Sequence, residues 1–232
     1  MESVLLTIAV SMLGAMLPMV VAAQPHDHDA GQAPSEGRHG GANAHMHQSS
    51  LEELIQRLES PERDAYQHPG KVLDWLGEID GKTIIDIGAG TGYFSVKLAE
   101  RGARVIAADV DDELLAYLGE RIAKNGLRNI EVRKVPYDSP GLAAGEADMV
   151  FLVNTYHHIE NRVAYFAKVK AGMAKNADLV IVDFFGTELP VGPPPALKLS
   201  IDEVLAELKQ AGFTTFDVDV DLLPYQFLLR AR

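Results

Sequence analysis

A glycine-rich junction between a strand pattern and a helix pattern, within residues 83–109, constrains the fold of this chain more than any other feature. Residues 83–87 form a short, β-branched apolar run, which is typical of a buried parallel strand. Residues 93–101 then show helical apolar spacing, and 105–108 form a second apolar run that ends at Asp109. The pattern predicts a strand–helix–strand unit with a glycine turn at its first junction.

Three glycines, Gly88, Gly90 and Gly92, occupy the predicted turn at alternate positions. A residue without a Cβ can take a positive φ and let a ligand lie against bare backbone N–H groups. The N-terminus of the following helix offers free donors and the positive end of its dipole to a negative group. Asp109, 21 residues after Gly88, lies where a carboxylate can accept both hydroxyls of a ribose. The unit is therefore predicted to bind a nucleoside.

The spacing of the turn differs from that of dinucleotide sites. The pattern G-x-G-x-x-G would place its third glycine at position 93, where this chain has Tyr93. Asp86 instead precedes the first glycine by two residues, and a carboxylate there suits a ligand with an ammonium group and repels a pyrophosphate. The run Asp86-x-Gly88-x-Gly90-x-Gly92 resembles the first motif of the class I S-adenosylmethionine-dependent methyltransferases. A glycine turn without a ligand is the alternative interpretation.

The resemblance covers residues 50–232 and implies one methyltransferase domain of the α/β class. Its fold would be a doubly wound, seven-stranded, mostly parallel Rossmann-like sheet whose last strand pair contains one antiparallel strand. The remaining strands are predicted at 130–135, 147–153, 179–185, 213–220 and 225–230, with helices at 111–123, 163–173 and 201–211. A helical segment before the glycine turn would fold over the cofactor pocket, which makes Arg63, Tyr66 and Gln67 candidates for a lid or for an ordinary polar surface.

The resemblance implies that the cofactor is S-adenosyl-L-methionine. Asp86 and the glycines would surround its methionine portion, and Asp109 would bind its ribose. Many members of the class place an acid at the end of the third strand to accept the adenine amine, but Val135 occupies that position here. Adenine recognition is therefore assigned to backbone groups or to Asp138. The full predicted cofactor-binding set is Asp86, Gly88, Ala89, Gly90, Gly92, Asp109, Val110, Asp138 and Asn154.

The segment Asn154 to His158 follows the fourth predicted strand, and ligands of open parallel sheets bind beyond the carboxyl ends of the strands. His157 and His158 are candidate general bases for a hydroxyl or amine nucleophile, because histidine titrates near neutral pH. Packing and loop support are the alternative for both. The implied reaction is displacement at the sulfonium methyl by an O, N or C atom of a small-molecule acceptor. It requires no metal.

Composition excludes several other functions. The chain has no cysteine, so it forms no disulfide, thiolate nucleophile or cysteine-ligated metal site. Its formal net charge of −12 makes nucleic acid and anionic membrane surfaces poor partners.

The N-terminal region predicts export. Residues 4–23 are nearly all apolar, and small residues precede Gln24, so residues 1–23 are predicted to be a signal peptide cleaved after Ala23. The first three residues carry no Lys or Arg, which is atypical. The predicted location is the periplasm; an uncleaved inner-membrane anchor is the alternative, because 20 apolar residues can just span a bilayer.

Residues 24–49 are predicted to be a disordered linker, since they contain almost no large aliphatic side chain. The linker holds five of the eight histidines, which predicts either loose divalent-metal binding or a merely solvated tail: His26, His28, His39, His45 and His47. An exported, non-catalytic protein that binds the nucleoside or a metal on the same fold is the second functional hypothesis.

Overall fold

The computed structural model describes residues 49–232. The predicted signal peptide or anchor and the histidine-rich linker lie outside these residues, except for Ser49. The helices are α1 (Leu51–Leu58), α2 (Pro61–Gln67), α3 (Pro69–Leu76), α4 (Tyr93–Glu100), α5 (Asp112–Asn125), α6 (Arg162–Gly172) and α7 (Ile201–Gln210). The strands are β1 (Thr83–Ile87), β2 (Arg104–Asp109), β3 (Ile130–Lys134), β4 (Ala147–Val153), β5 (Met173–Phe184), β6 (Phe216–Asp219) and β7 (Gln226–Ala231). Short 3₁₀ turns cover Tyr156–His158 and Pro195–Leu197.

The seven strands form one sheet in the order β3-β2-β1-β4-β5-β7-β6. The first five strands in this order pair in parallel, and β7 is antiparallel to both β5 and β6. The predicted doubly wound sheet with one antiparallel strand in its closing pair is therefore confirmed. Strand order reverses between β1 and β4, which is where ligands of such sheets bind.

Alternating strand residues build a core on each face of the sheet. Ile85 and Ile87 of β1 pack on one face with residues of α6 and α7, including Phe166. Ile84 packs on the other face with residues of α3 and α4, including Phe94. Because both faces are covered, the central strands β1 and β4 are mostly apolar, and Asp86 is the one charged residue of β1.

Several boundaries differ from the sequence prediction; β6, for example, begins at Phe216, three residues after its predicted start. β5 begins at Met173, six residues before the predicted start. The segment after Pro61 was not predicted to be helical, but it forms α2, in which Pro61 occupies the first turn and the Ser60 hydroxyl accepts the backbone N–H of Arg63. Proline lacks only a donor that a first turn leaves free, so Pro61 begins a helix here rather than merely ending the previous one.

Within residues 49–232, no helix is long and apolar enough to cross a bilayer. The predictions of a signal peptide, of an anchor and of metal binding by the linker stay predictions, because they fall on the part of the chain outside this range.

Candidate active site

A cavity of about 340 Å³ opens at the carboxyl ends of the parallel strands. This volume is at the lower end of the range for small-molecule sites. Five parts of the chain line it, namely the end of β1, the end of β2, the loop after β3, the loop after β4 and α6: Ile87, Gly88, Asp109, Val110, Val135, Pro136, Tyr137, Thr155, His158, Ile159, Glu160 and Tyr165. Three of the residues predicted to bind the cofactor, Gly88, Asp109 and Val110, are therefore brought together in one cavity wall.

The carboxylate of Asp109 is held in place by backbone N–H groups. Its Oδ2 accepts from Gly90 at 2.7 Å, and its Oδ1 accepts from Val110 at 2.7 Å and from Asp111 at 3.0 Å. Burial raises the pKa of Asp109, and these three hydrogen bonds oppose the rise. Because a carboxylate offers about four acceptor positions, Asp109 keeps capacity for a ligand hydroxyl.

The glycine turn differs from the prediction in one respect. The N–H groups of Gly88 and Ala89 both donate to the carbonyl of Ala108, that of Gly90 donates to Asp109, and that of Gly92 donates to the carbonyl of Ala89. These four amides are therefore already engaged within the protein, and the expectation that they lie bare for a ligand is corrected.

The first and third glycines instead supply space and a positive φ. A Cβ on Gly88 (φ +75°) would lie 2.4 Å from Oγ1 of Thr155, across the cavity wall. A Cβ on Gly92 (φ +80°) would lie 2.3 Å from Cδ1 of Leu118 on α5, outside the cavity. Gly88 thus allows the turn after β1 to approach Thr155 in the cavity wall, whereas Gly92 allows α5 to pack against the start of α4.

Asp86 is buried beneath the glycine turn and does not line the cavity. The hydroxyl of Ser95 donates to its Oδ2 at 2.6 Å. Burial raises the pKa of Asp86 to about 6, and the Ser95 hydrogen bond and the charge of Arg63 oppose the rise. The carboxylate is therefore ionised at neutral pH at a cost in stability.

Arg63, one of the predicted lid candidates, is also buried. Its guanidinium lies over the ring of Tyr93, 4.0 Å from the ring centre, and donates from Nε to Gln67 and from Nη1 to the carbonyl of Leu58. No carboxylate forms an ion pair with Arg63 in the described part of the chain. Arg63 and Asp86 are thus a buried cation and a buried anion, and the charge of each acts on the other.

A chain of side-chain amides joins α2 to the end of the sheet. Gln67 donates to Gln226 at 2.9 Å, and Gln226 donates to Oδ1 of Asn154 at 2.5 Å. Asn154, a predicted cofactor contact, is therefore engaged in this network and does not line the cavity. The sequence analysis missed Gln226. A glutamine at the start of a mostly apolar strand is nevertheless a signal, because a polar side chain that is buried there needs hydrogen-bond partners.

The N-terminal helices cover the glycine turn. Glu59, between α1 and α2, accepts from the Thr91 hydroxyl and from Arg121, both at 2.5 Å. Asp64 of α2 is hydrogen-bonded to the hydroxyl of Tyr93. These contacts hold α1 and α2 against the glycine turn and α4, but none of the residues that line the cavity belongs to either helix, so the lid stays a prediction.

The two histidines after β4 have different surroundings. His157 is buried, with Nδ1 at 2.9 Å from Oδ1 of Asp183 and its backbone N–H donating to the same carboxylate. It does not line the cavity, so its placement agrees with the alternative of packing and loop support. His158 does line the cavity, and its ring centre lies 4.3 Å from that of His157. Burial and the neighbouring His157 lower the pKa of His158 to about 4, so it is neutral at pH 7.

Asp138 lies outside the cavity, exposed, with its carboxylate 3.3 Å from Nζ of Lys168. The loop residues that do line the cavity are Val135, Pro136 and Tyr137, which agrees with the alternative of adenine recognition by backbone groups. Glu160 and Tyr165 also line the cavity and were not predicted. Over residues 49–232, no cluster of three or more His, Asp or Glu side chains is arranged to hold a metal ion.

Comparison with known proteins agrees with this geometry. A family model described as a methyltransferase domain matches residues 84–176. The crystal structure of a SAM-dependent methyltransferase from Aquifex aeolicus is 30% identical, with a TM-score of 0.73, and the match covers 79% of this chain and 98% of that one.

Curated relatives match over a shorter range. An uncharacterized methyltransferase from Mycobacterium tuberculosis is 27% identical over 99 residues, 43% of this chain and 39% of that protein. A ubiquinone biosynthesis O-methyltransferase from Acinetobacter baumannii is 29% identical over 92 residues, 38% of this chain and 39% of that protein. The chain therefore spans about two fifths of the length of these curated relatives.

Proposed function

We propose that this chain, which belongs to the S-adenosylmethionine-dependent methyltransferase family, transfers a methyl group from S-adenosylmethionine to an O, N or C nucleophile of a small-molecule acceptor. The observation that carries the proposal is the cavity at the ends of β1 and β2, in whose wall the turn at Gly88 lies close to Thr155 and Asp109 holds a carboxylate. Family membership favours this enzyme over the non-catalytic binding protein.

The residues at the site fit the cofactor. Asp109 has acceptor capacity for ribose hydroxyls. The methionine portion carries an ammonium and a carboxylate. Asp86 and Arg63 have the matching charges but are buried outside the cavity lining, and we assign them to these two groups of the bound ligand. A buried arginine that has no carboxylate partner is costly, and a ligand carboxylate would reduce that cost.

The chemistry asks little of the protein beyond positioning. When bound, S-adenosylmethionine supplies a methyl group that is already activated on a sulfonium sulfur. The chain therefore has to align the acceptor, exclude water and accept at most one proton. His158 is the residue placed to accept that proton, because it lines the cavity and is neutral at pH 7. Its low pKa makes it a weak base, which suits an acceptor that is already nucleophilic.

The test is calorimetry on the full chain with S-adenosylmethionine, followed by measurement of S-adenosylhomocysteine formed with a panel of phenols, amines and carboxylic acids. Saturable binding that is weakened in Asp109→Asn, together with turnover on at least one acceptor, is expected. Absence of saturable binding would overturn the proposal. Binding without turnover on any member of the panel would instead favour the non-catalytic protein.

Export to the periplasm is proposed from residues 4–23 and the small residues before Gln24. Cell fractionation with mass measurement of the mature N-terminus tests it: a chain that starts at Gln24 in the periplasmic fraction is expected. A full-length chain in the membrane fraction would support the anchor, and one in the cytoplasm would contradict export.

Loose metal binding by the linker is tested by zinc titration of the full chain against a variant with its five histidines replaced by alanine.

A further inference from the structure

Tyr165 of α6 has a hydroxyl group that faces the cavity without a protein partner. The residue is 4% exposed and lines the cavity wall. Its ring packs edge-to-face on Phe166, whereas its hydroxyl makes no hydrogen bond to residues 49–232. In the same range, the one buried side-chain polar atom without a partner is Nε of Arg230. The Tyr165 hydroxyl is therefore not sealed in the core but reaches the open space of the cavity.

The other two buried tyrosines differ from Tyr165 in this respect. The hydroxyl of Tyr156 donates to Glu207 at 2.7 Å, and that of Tyr93 is hydrogen-bonded to Asp64. Buried tyrosine hydroxyls normally find a hydrogen-bond partner, because a buried hydroxyl without one costs more free energy than the hydrogen bond itself contributes. In Tyr165 that partner is missing from the described chain, which points to a ligand.

The charges around Tyr165 indicate which part of a ligand its hydroxyl would contact. Burial raises the pKa of the hydroxyl, and the carboxylates of Asp109 and Asp138 raise it further. The hydroxyl therefore lies within electrostatic range of both the ribose-binding carboxylate and the loop after β3. That loop lines the cavity with Val135, Pro136 and Tyr137, none of which offers a carboxylate to a base attached to the ribose.

We propose that the Tyr165 hydroxyl hydrogen-bonds the purine base of the cofactor. The proposal rests on the proposed function, since it assigns a specificity-determining residue to the same site. A phenol can both donate and accept, so it can pair with a ring nitrogen or with the exocyclic amine. Tyr165 is a binding residue here and takes no part in the methyl transfer itself.

The experiment is calorimetry of the full chain with S-adenosylhomocysteine, comparing the natural protein with Tyr165→Phe. The substitution keeps the ring in the core and removes only the oxygen. The affinity is expected to fall roughly three- to tenfold, as for loss of one neutral hydrogen bond. Analogues with a 6-oxo group or with carbon at purine position 1, 3 or 7 then locate the partner atom. For one of them, the natural protein should lose affinity while Tyr165→Phe loses nothing further.

Tyr156→Phe is the matched control, because it also removes a buried hydroxyl but one that is bonded to Glu207 outside the cavity. It is expected to lower the melting temperature and leave the affinity unchanged. Natural protein that fails to bind S-adenosylhomocysteine would overturn the proposed function as well. Two other results would overturn the assignment of Tyr165 to the base and leave the proposed function intact. In the first, Tyr165→Phe does not weaken the affinity; in the second, it weakens the affinity equally for every base analogue.

Discussion

Asp109 and Gly90 are joined by a 2.7 Å hydrogen bond from the glycine N–H to the carboxylate Oδ2. The bond ties the end of β2 to the glycine turn that follows β1, so the carboxylate that faces the cavity also fixes the shape of the turn. The side chain of Asp109 therefore both lines the cavity and holds the glycine turn, so a substitution at this position changes the cavity and the turn together.

The first prediction concerns Asp109→Asn. The side-chain oxygen of asparagine can replace one carboxylate oxygen as an acceptor. The side-chain NH₂ group then takes the place of the other oxygen and faces a backbone N–H, so two donors oppose each other. The negative charge that would attract ribose hydroxyls is also lost. The affinity for S-adenosylhomocysteine should fall about 10- to 100-fold, as for loss of a charged hydrogen-bond acceptor. Calorimetry measures this. Asp138→Asn, at an exposed acid outside the cavity, is the control and should change the affinity less than about twofold.

Glycine substitutions should separate space from backbone strain. Gly88→Ala places a methyl group against Thr155 and should abolish cofactor binding, whereas Gly92→Ala clashes with Leu118 and should mainly destabilise the fold. Gly145 (φ +72°) has open space where a Cβ would be, so Gly145→Ala measures the cost of positive φ alone, about 1 to 2 kcal/mol. Urea unfolding and calorimetry give both quantities. Equal losses in all three variants would show that space is irrelevant.

The sheet was predictable from the sequence because its information is local. The strands β1, β2 and β4 at the centre of the sheet are short, mostly apolar runs, and the glycine motif marks the first strand-to-helix junction. α2 escaped prediction because Pro61 can either end one helix or begin another, and only the cap on Ser60 decides between them.

The site was only half predictable, for a different reason. Asp109 and Gly88 lie in the motif itself, so the sequence could place them at the cavity. The partners of Asn154 and His157, namely Gln226 and Asp183, lie 72 and 26 residues further along the chain. No local spacing signals such contacts, and side-chain orientation after a strand end is decided by them. Tyr165 was missed for the same reason, since helical periodicity cannot distinguish a cavity-facing tyrosine from a core tyrosine.

Arg63 should discriminate between ligands with and without the amino-acid portion. If it binds the methionine carboxylate, Arg63→Gln should weaken S-adenosylhomocysteine by about 10-fold or more and leave 5′-methylthioadenosine, which lacks that carboxylate, nearly unchanged. Competition calorimetry provides both affinities. Arg101→Gln, at an exposed ion pair with Asp74, controls for a general change of charge. A parallel loss for both ligands would mean that Arg63 acts through the fold only.

Removing one partner of the ion pair between α6 and α7 should strongly destabilise the fold. Arg162 is 7% exposed and forms two hydrogen bonds of 2.7 Å with Glu207, which also accepts from Tyr156. Glu207→Ala leaves the guanidinium buried without its acid, so we expect a loss of about 3 kcal/mol in unfolding free energy. Asp74→Ala breaks the exposed pair with Arg101 and should cost below about 1 kcal/mol. Comparable losses in the two variants would contradict the role of burial.

Asp86 should make the free energy of unfolding of the ligand-free protein depend on pH, and Asp86→Asn should remove this dependence. Its pKa is about 6 in the folded chain against 3.8 for a free aspartate, so between these values the folded state binds more protons than the unfolded state. The contribution of Asp86 to the free energy of unfolding is therefore fully present below about pH 4 and is lost as the pH rises through 6. Asp86→Asn can keep the hydrogen bond from Ser95 without burying a charge. Its advantage over the natural protein should be near zero at pH 4 and on the order of 3 kcal/mol at pH 8.

Urea unfolding of both proteins from pH 4 to pH 8 measures this difference. His158 has a folded pKa of about 4 against 6.5, so it destabilises both proteins as the pH falls, and its contribution cancels in the comparison. Ser95→Ala is the matched variant: it removes the hydrogen bond that holds the pKa of Asp86 down, so the pH-dependent loss should extend to higher pH. A stability difference between Asp86→Asn and the natural protein that is constant across the range would contradict the buried charge. The same substitution should weaken S-adenosylhomocysteine binding at pH 8, because the carboxylate that destabilises the free protein is the group that would receive the ligand's ammonium.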